Sequence, residues 1–180
     1  MPYQLFHNLF PETAEQETRT ITVLKDSAPG LPAGRYSFLE MFCNERNCDC
    51  RRVFLYVVSS LRNDVEAVVA WGWEKPEFYA KWMKDDDPNV VAALKGPTLN
   101  LGSPQSSLAP AILDLVQNVL LQDEAYVERI KRHYRSFRAR IDAKTTAKPR
   151  SKKKKKGGSK MKRKRETGSG GPKRGSGVFD

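Results

Sequence analysis

The sequence predicts an α+β domain, an antiparallel meander of three to four strands packed against C-terminal helices, followed by a basic tail. Three observations carry that expectation. Between Arg35 and Trp73, apolar residues fall into two alternating or continuous runs and a third beyond a short polar link. From Pro76 to Ile141 they recur instead at the three- and four-residue spacing of a helix face. After Asp142 they almost vanish, and lysine, arginine, glycine and serine take over. The domain is therefore assigned to residues 1–144 and the tail, expected to be disordered, to 145–180.

The elements follow in order. Tyr3, Phe6 and Phe10 form an aromatic start expected to pack on the domain, and Thr18 to Lys25 alternates weakly around Ile21 and Val23, a short strand. Residues 26–34 are rich in proline and glycine and read as a loop. Arg35 to Phe42 is a strand with Tyr36, Phe38 and Phe42 on one face and Leu39 and Met41 on the other. Arg52 to Ser59 is apolar on both faces, the mark of a central, covered strand, and Val65 to Trp73 is its neighbour. Pro76 opens a helix where its missing N–H costs nothing, with Phe78, Tyr79, Trp82 and Met83 at helical spacing. A short helix over residues 89–94 stops at Lys95-Gly96-Pro97. Another, entered at Ser106 or Ser107, carries Leu108, Ile112, Leu115, Val116 and Val119. A last helix after Asp123 shows one stripe of Tyr126, Ile130, His133, Tyr134, Phe137 and Ile141.

Charge is unevenly distributed. The formal net charge of the 180 residues is +11, yet residues 148–180 hold 14 Lys/Arg against Glu166 and Asp180, a net of +12. The remaining 147 residues carry 18 Lys/Arg and 19 Asp/Glu, a net of −1. The basic character belongs to the tail alone, and with it any electrostatic case for nucleic-acid binding. Lys152, Lys153, Lys154, Lys155 and Lys156, then Lys162, Arg163, Lys164 and Arg165, are the residues suited to neutralising phosphates, on nucleic acid or on a ribosome, without reading sequence. A nuclear import signal, an anionic-membrane contact or a solubilising tail would look similar.

All three cysteines of the chain lie between Phe42 and Arg51, as Cys43, Cys48 and Cys50 in the pattern C-x4-C-x-C, between two strand-like runs. An odd number cannot form a complete disulfide framework. Three thiols at a hairpin tip suit a soft cation instead, and zinc takes four ligands, thiolate and imidazole foremost. Arg46, Arg51 and Arg52 stand ready to offset the negative charge of three thiolates. A fourth ligand has to come from elsewhere. His133, on the apolar stripe of the last helix, is the first choice, His7 the second, and Asp49 or water the third. A protein ligand makes the site structural, whereas a water makes it potentially catalytic.

Other chemistry finds little support. H-E-x-x-H, the zinc-deaminase pattern, C-x-x-C and the glycine-rich nucleotide loops are all absent. Asp85, Asp86 and Asp87 before Pro88 read as a charged helix end rather than a cation site. Trp71, Trp73, Phe78, Tyr79 and Trp82 read as core more than as a stacking platform. Neither a secretory leader nor an apolar run of about 20 residues is visible, so the expectation is a soluble cytoplasmic protein.

Several blocks carry a resemblance. They are Leu31-Pro32-Ala33-Gly34-Arg35-Tyr36, Phe42-Cys43-Asn44-Glu45, Cys48-Asp49-Cys50-Arg51-Arg52-Val53, Gly72-Trp73-Glu74, Phe78-Tyr79-Ala80-Lys81-Trp82-Met83, Lys95-Gly96-Pro97, Gln122-Asp123, Tyr126-Val127 and Lys131-Arg132-His133-Tyr134. In these the chain resembles a bacterial protein family with no assigned activity, built on a C-x4-C-x-C block. Some members of that family carry a SecA-type zinc knuckle at the C-terminus. Here no cysteine follows Cys50, and the basic tail stands in that place. The resemblance implies a cytoplasmic bacterial setting and no particular reaction. The expected function is thus a non-enzymatic, zinc-stabilised binding or adaptor protein whose tail contacts nucleic acid or ribosomes. The alternative is a zinc-dependent enzyme with a solvent-open metal at the cysteine hairpin.

Overall fold

A computed structural model describes residues 3–25, 28–62 and 64–143. The strands are β1 (Tyr3–Leu5), β2 (Arg19–Val23), β3 (Gly34–Cys43), β4 (Arg52–Ser59), β5 (Val65–Gly72) and β6 (Thr98–Leu99). The helices are α1 (Pro11–Glu17), α2 (Pro76–Met83), α3 (Pro88–Lys95), α4 (Ala109–Asn118) and α5 (Glu124–Ala143), with short 3-10 turns at Phe6–Asn8 and Leu120–Gln122. The α+β class and the antiparallel β3-β4-β5 meander match the sequence expectation. The sheet is larger than expected, with six strands among the described residues. β1, β6 and α1 are too short to leave a periodic signal, and Pro11 at the first position of α1 is its one local mark.

β3 organises the sheet. One edge pairs with β4 along its length, Tyr36 opposite Ser59 through Met41 opposite Phe54. The other edge is shared: β2 covers Gly34 to Phe38 and β1 covers Met41 to Cys43. Between them, opposite Leu39 and Glu40, that edge is left without a strand partner, and the 3-10 turn and α1 pass over the gap. This arrangement places a charged residue, Glu40, beneath the only break in β3's pairing among the described residues.

Side-chain alternation then divides the sheet into two faces. Tyr36, Phe38 and Phe42 join Val53, Leu55 and Val57 of β4 and Ala67, Val69 and Trp71 of β5 on the helix-covered face. There they meet Ile112, Leu115 and Val116 of α4 and the α5 stripe of Tyr126, Ile130, Tyr134, Phe137 and Ile141. The opposite face carries a smaller cluster of Phe54, Val68 and Ala70, flanked by Tyr3, Met41 and Tyr56. β4 is buried at six of its eight positions, which is why it reads as a continuous apolar run rather than an alternation. No described helix is long and apolar enough to cross a membrane.

Candidate metal centre

The loop from Asn44 to Arg51 joins β3 to β4 and carries two non-glycine residues in the left-handed region, Asn47 at φ 56° and Arg51 at φ 47°. Asparagine takes this conformation readily; an arginine does so only when its surroundings hold it there. They do. The Arg51 N–H donates to the Tyr134 hydroxyl at 3.4 Å, and its carbonyl accepts from the Tyr79 hydroxyl at 3.0 Å. Its guanidinium pairs with Asp49 through two hydrogen bonds of 2.9 Å, reaches Glu74 at 3.1 Å and lies over the Phe78 ring. Gly72 makes room for the Tyr79 clamp, since a Cβ there would lie 2.1 Å from the Tyr79 hydroxyl oxygen.

From the other side α5 grips the loop. The buried Arg138 guanidinium donates to the carbonyls of Cys43 at 2.9 Å and Glu45 at 2.8 Å, and to Asp142 at 2.6 Å. Asp142 in turn accepts from the Asn47 N–H at 3.0 Å. The loop is thus fixed, without a metal, by backbone contacts to residues 95 positions downstream.

This frame brings the three thiols together, with ligand atoms all within 4.8 Å of one another. A tetrahedral zinc with metal–sulfur bonds of about 2.3 Å needs sulfur–sulfur edges of about 3.8 Å, so a small contraction closes the three around an ion. Cys43 and Cys50 are buried and Cys48 is half-buried. Burial pushes the Cys43 thiol up to about 11, and burial together with the nearby Cys48 and Cys43 pushes Cys50 higher still. Against this, a backbone N–H points at each buried sulfur, that of Glu45 at Cys43 and that of Arg52 at Cys50, and favours the thiolate. Crowded thiols with amides aimed at their sulfurs are the donor set that a soft divalent cation completes, because its charge replaces the protons. The cluster can hold a metal such as zinc.

His133 is not part of that cluster. Its Nδ1 lies 2.8 Å from Oε2 of Glu40 and its Nε2 lies 3.0 Å from Oε2 of Glu17, and the ring stacks on Phe6 at 4.3 Å. With a carboxylate on each nitrogen, no lone pair is left to face a metal. The strand geometry explains the difference from the sequence expectation. Glu40 and Phe42 face the helices, whereas Cys43, one residue on, faces the other side, where its register partner Tyr3 packs on Phe54. The apolar stripe of α5 locates His133 correctly as an inward residue but on the opposite side of the sheet. His7 is exposed, and Asp49 is exposed and tied to Arg51. Among the described residues no further His, Cys, Asp or Glu joins the three thiols.

The remaining sequence expectations sort plainly. Asp85 and Asp87 accept from the backbone N–H groups of Asp87 and Asn89, a helix cap. Trp71 and Tyr79 are buried, Trp73 and Phe78 half-buried, and Trp82 is 37% exposed, so they form no continuous stacking surface. The tail residues Lys152 to Lys156 and Lys162 to Arg165 lie outside the described residues. Sequence reading missed Arg138, Asp142, the hydrogen bonds by which the buried Tyr79 clamps the loop, and the Glu17–His133–Glu40 relay. Only the i, i+4 spacing of Arg138 and Asp142 on α5 hinted at a pair.

The fold and this site together define an α+β domain with a three-thiol hairpin that could hold a metal. Comparison with protein-family models, curated proteins and solved structures gave no match.

Proposed function

We propose that this protein is a zinc-stabilised binding or adaptor protein, in which Cys43, Cys48 and Cys50 hold the ion and the basic tail contacts nucleic acid or ribosomes. The observation that carries the metal half is the convergence of the three thiols within 4.8 Å at a hairpin tip already locked from two sides. The tail half rests on charge alone: a net of +12 on residues 148–180 attached to a domain of net −1. A non-enzymatic role is favoured because most carboxylates near the thiols are engaged. Asp49 and Glu74 pair with Arg51, and Asp142 pairs with Arg138, which leaves the exposed Glu45 as the one carboxylate beside the thiols without an ion pair among the described residues. The alternative, a zinc-dependent enzyme with a solvent-open metal, draws its support from the missing fourth protein ligand.

Two measurements test the halves separately. Protein purified under reducing conditions without chelator should carry about one zinc per chain, and less than about half an equivalent would reject the metal reading. Deleting residues 148–180 should abolish salt-sensitive binding to nucleic acid. Unchanged binding by the truncated chain would reject the role of the tail.

A further inference from the structure

Resting on the metal reading above, the geometry points to a fourth coordination position filled from outside the chain by a small thiol that carries a carboxylate. The chain has three cysteines and two histidines, and all five are among the described residues. The cysteines form the cluster, His133 has a carboxylate on each nitrogen, and His7 is exposed and apart from it. A tetrahedral cation on these thiols therefore has no cysteine or histidine left to complete it.

Cys43 and Cys50 are sealed, but Cys48 lines a cleft of about 330 Å³ with Asn47, Asp49, Tyr134, Arg135, Arg138 and Asp142. A second cleft of about 420 Å³, which adds Arg51, Trp73, Glu74 and Lys131, shares Asp49, Tyr134 and Arg135 with it. An incoming ligand reaches the metal past Cys48.

In the first cleft Asp49 is matched by Arg51, and Arg138 by Asp142 and two carbonyls. Arg135 is exposed and makes no hydrogen bond or ion pair with the described residues. Its planar donor fork suits a carboxylate. A metal already holding thiolates favours a further soft sulfur donor. On binding, the incoming thiol releases its proton to solvent, and its sulfur replaces water at the metal.

The test uses the full, reduced chain loaded with Co(II). A tetrahedral thiolate–cobalt spectrum at one equivalent is expected, and its absence would reject the metal reading itself, separately from the fourth-ligand proposal. The loaded protein is then titrated with 3-mercaptopropionate and with 2-mercaptoethanol, which differ in the carboxylate. Both should shift the cobalt bands. The ratio of their apparent dissociation constants should change by about fivefold, against the carboxylate-bearing thiol, on Arg135→Ala. Comparing ratios between the two proteins cancels the intrinsic difference between the thiols. A cobalt spectrum that neither thiol alters would overturn the proposal, as would a ratio unmoved by the substitution.

Discussion

Nδ1 of His133 lies 2.8 Å from Oε2 of Glu40, and both side chains are buried. The pair joins α5 to the stretch of β3 that, among the described residues, lacks a neighbouring strand on its outer edge. Glu17 of α1 closes the relay on Nε2 and also receives Arg132 and Arg129. Burial alone would raise the Glu17 carboxyl, but the hydrogen bond from His133 and the two guanidiniums outweigh it and hold it below its ordinary range. Each ring nitrogen thus has a carboxylate partner. His133 is therefore a structural tie between three elements.

Removing that tie should be expensive. His133→Ala leaves Glu40 buried without its partner and is expected to destabilise the domain by about 3 kcal/mol. The zinc content per folded molecule should stay unchanged. Denaturant unfolding beside elemental analysis checks both. Loss of zinc with unchanged stability would assign His133 to the metal after all.

A second prediction concerns the clamp on the cysteine loop. Gly72→Ala drives a Cβ into the Tyr79 hydroxyl and should cost about 2 kcal/mol, with weaker zinc retention. Tyr79→Phe keeps the ring and loses only the hydrogen bonds to the Arg51 carbonyl and the Glu74 N–H, at about 1 kcal/mol. Zinc competition against a chromophoric chelator ranks the two variants. Equal behaviour of both with wild type would show that the loop holds its shape without Tyr79.

A third prediction is an acid limb of stability set by Glu66. The hydrogen bond from Arg62 is the main cause that holds this buried carboxyl at about 2, down from its ordinary 4.5, with Ser106 and Ser59 assisting against the cost of burial. A depressed folded value means stability that is present above pH 4.5 and is lost as pH falls from there toward 2. Glu66→Gln should lower stability at neutral pH and flatten that limb in urea titrations across the same range. An unchanged acid limb would mean that other carboxylates govern it.

The meander, the covered β4 and the inward stripe of α5 were legible because each repeats one period over eight or more residues. The cysteine cluster was legible because three thiols in eight residues seldom serve packing alone. What escaped depends on which face a residue takes after the chain folds. Cys43 and Glu40 are three apart on one strand, so they lie on opposite faces, and a helix residue that reaches one does not reach the other. Arg138 escaped for a different reason: its partners are backbone carbonyls, which leave no trace in a sequence.

Zinc uptake should also be linked to pH. Cys43 and Cys50 are protonated near neutral pH in the metal-free protein, since their values lie well above it. Binding then releases at least these two protons, and affinity rises as pH rises. Calorimetric titration at pH 7 in two buffers of different ionisation enthalpy counts the protons directly. Identical heats in the two buffers would show that the thiols bind already ionised.

X-ray absorption at the zinc edge, on the full chain purified without added metal, tests the central claim most directly. Three sulfur neighbours at about 2.3 Å and one lighter neighbour at about 2.0 Å are predicted for a centre built by Cys43, Cys48 and Cys50 and completed by solvent in the absence of added thiol. A shell of nitrogen and oxygen alone, or no bound zinc, would contradict it.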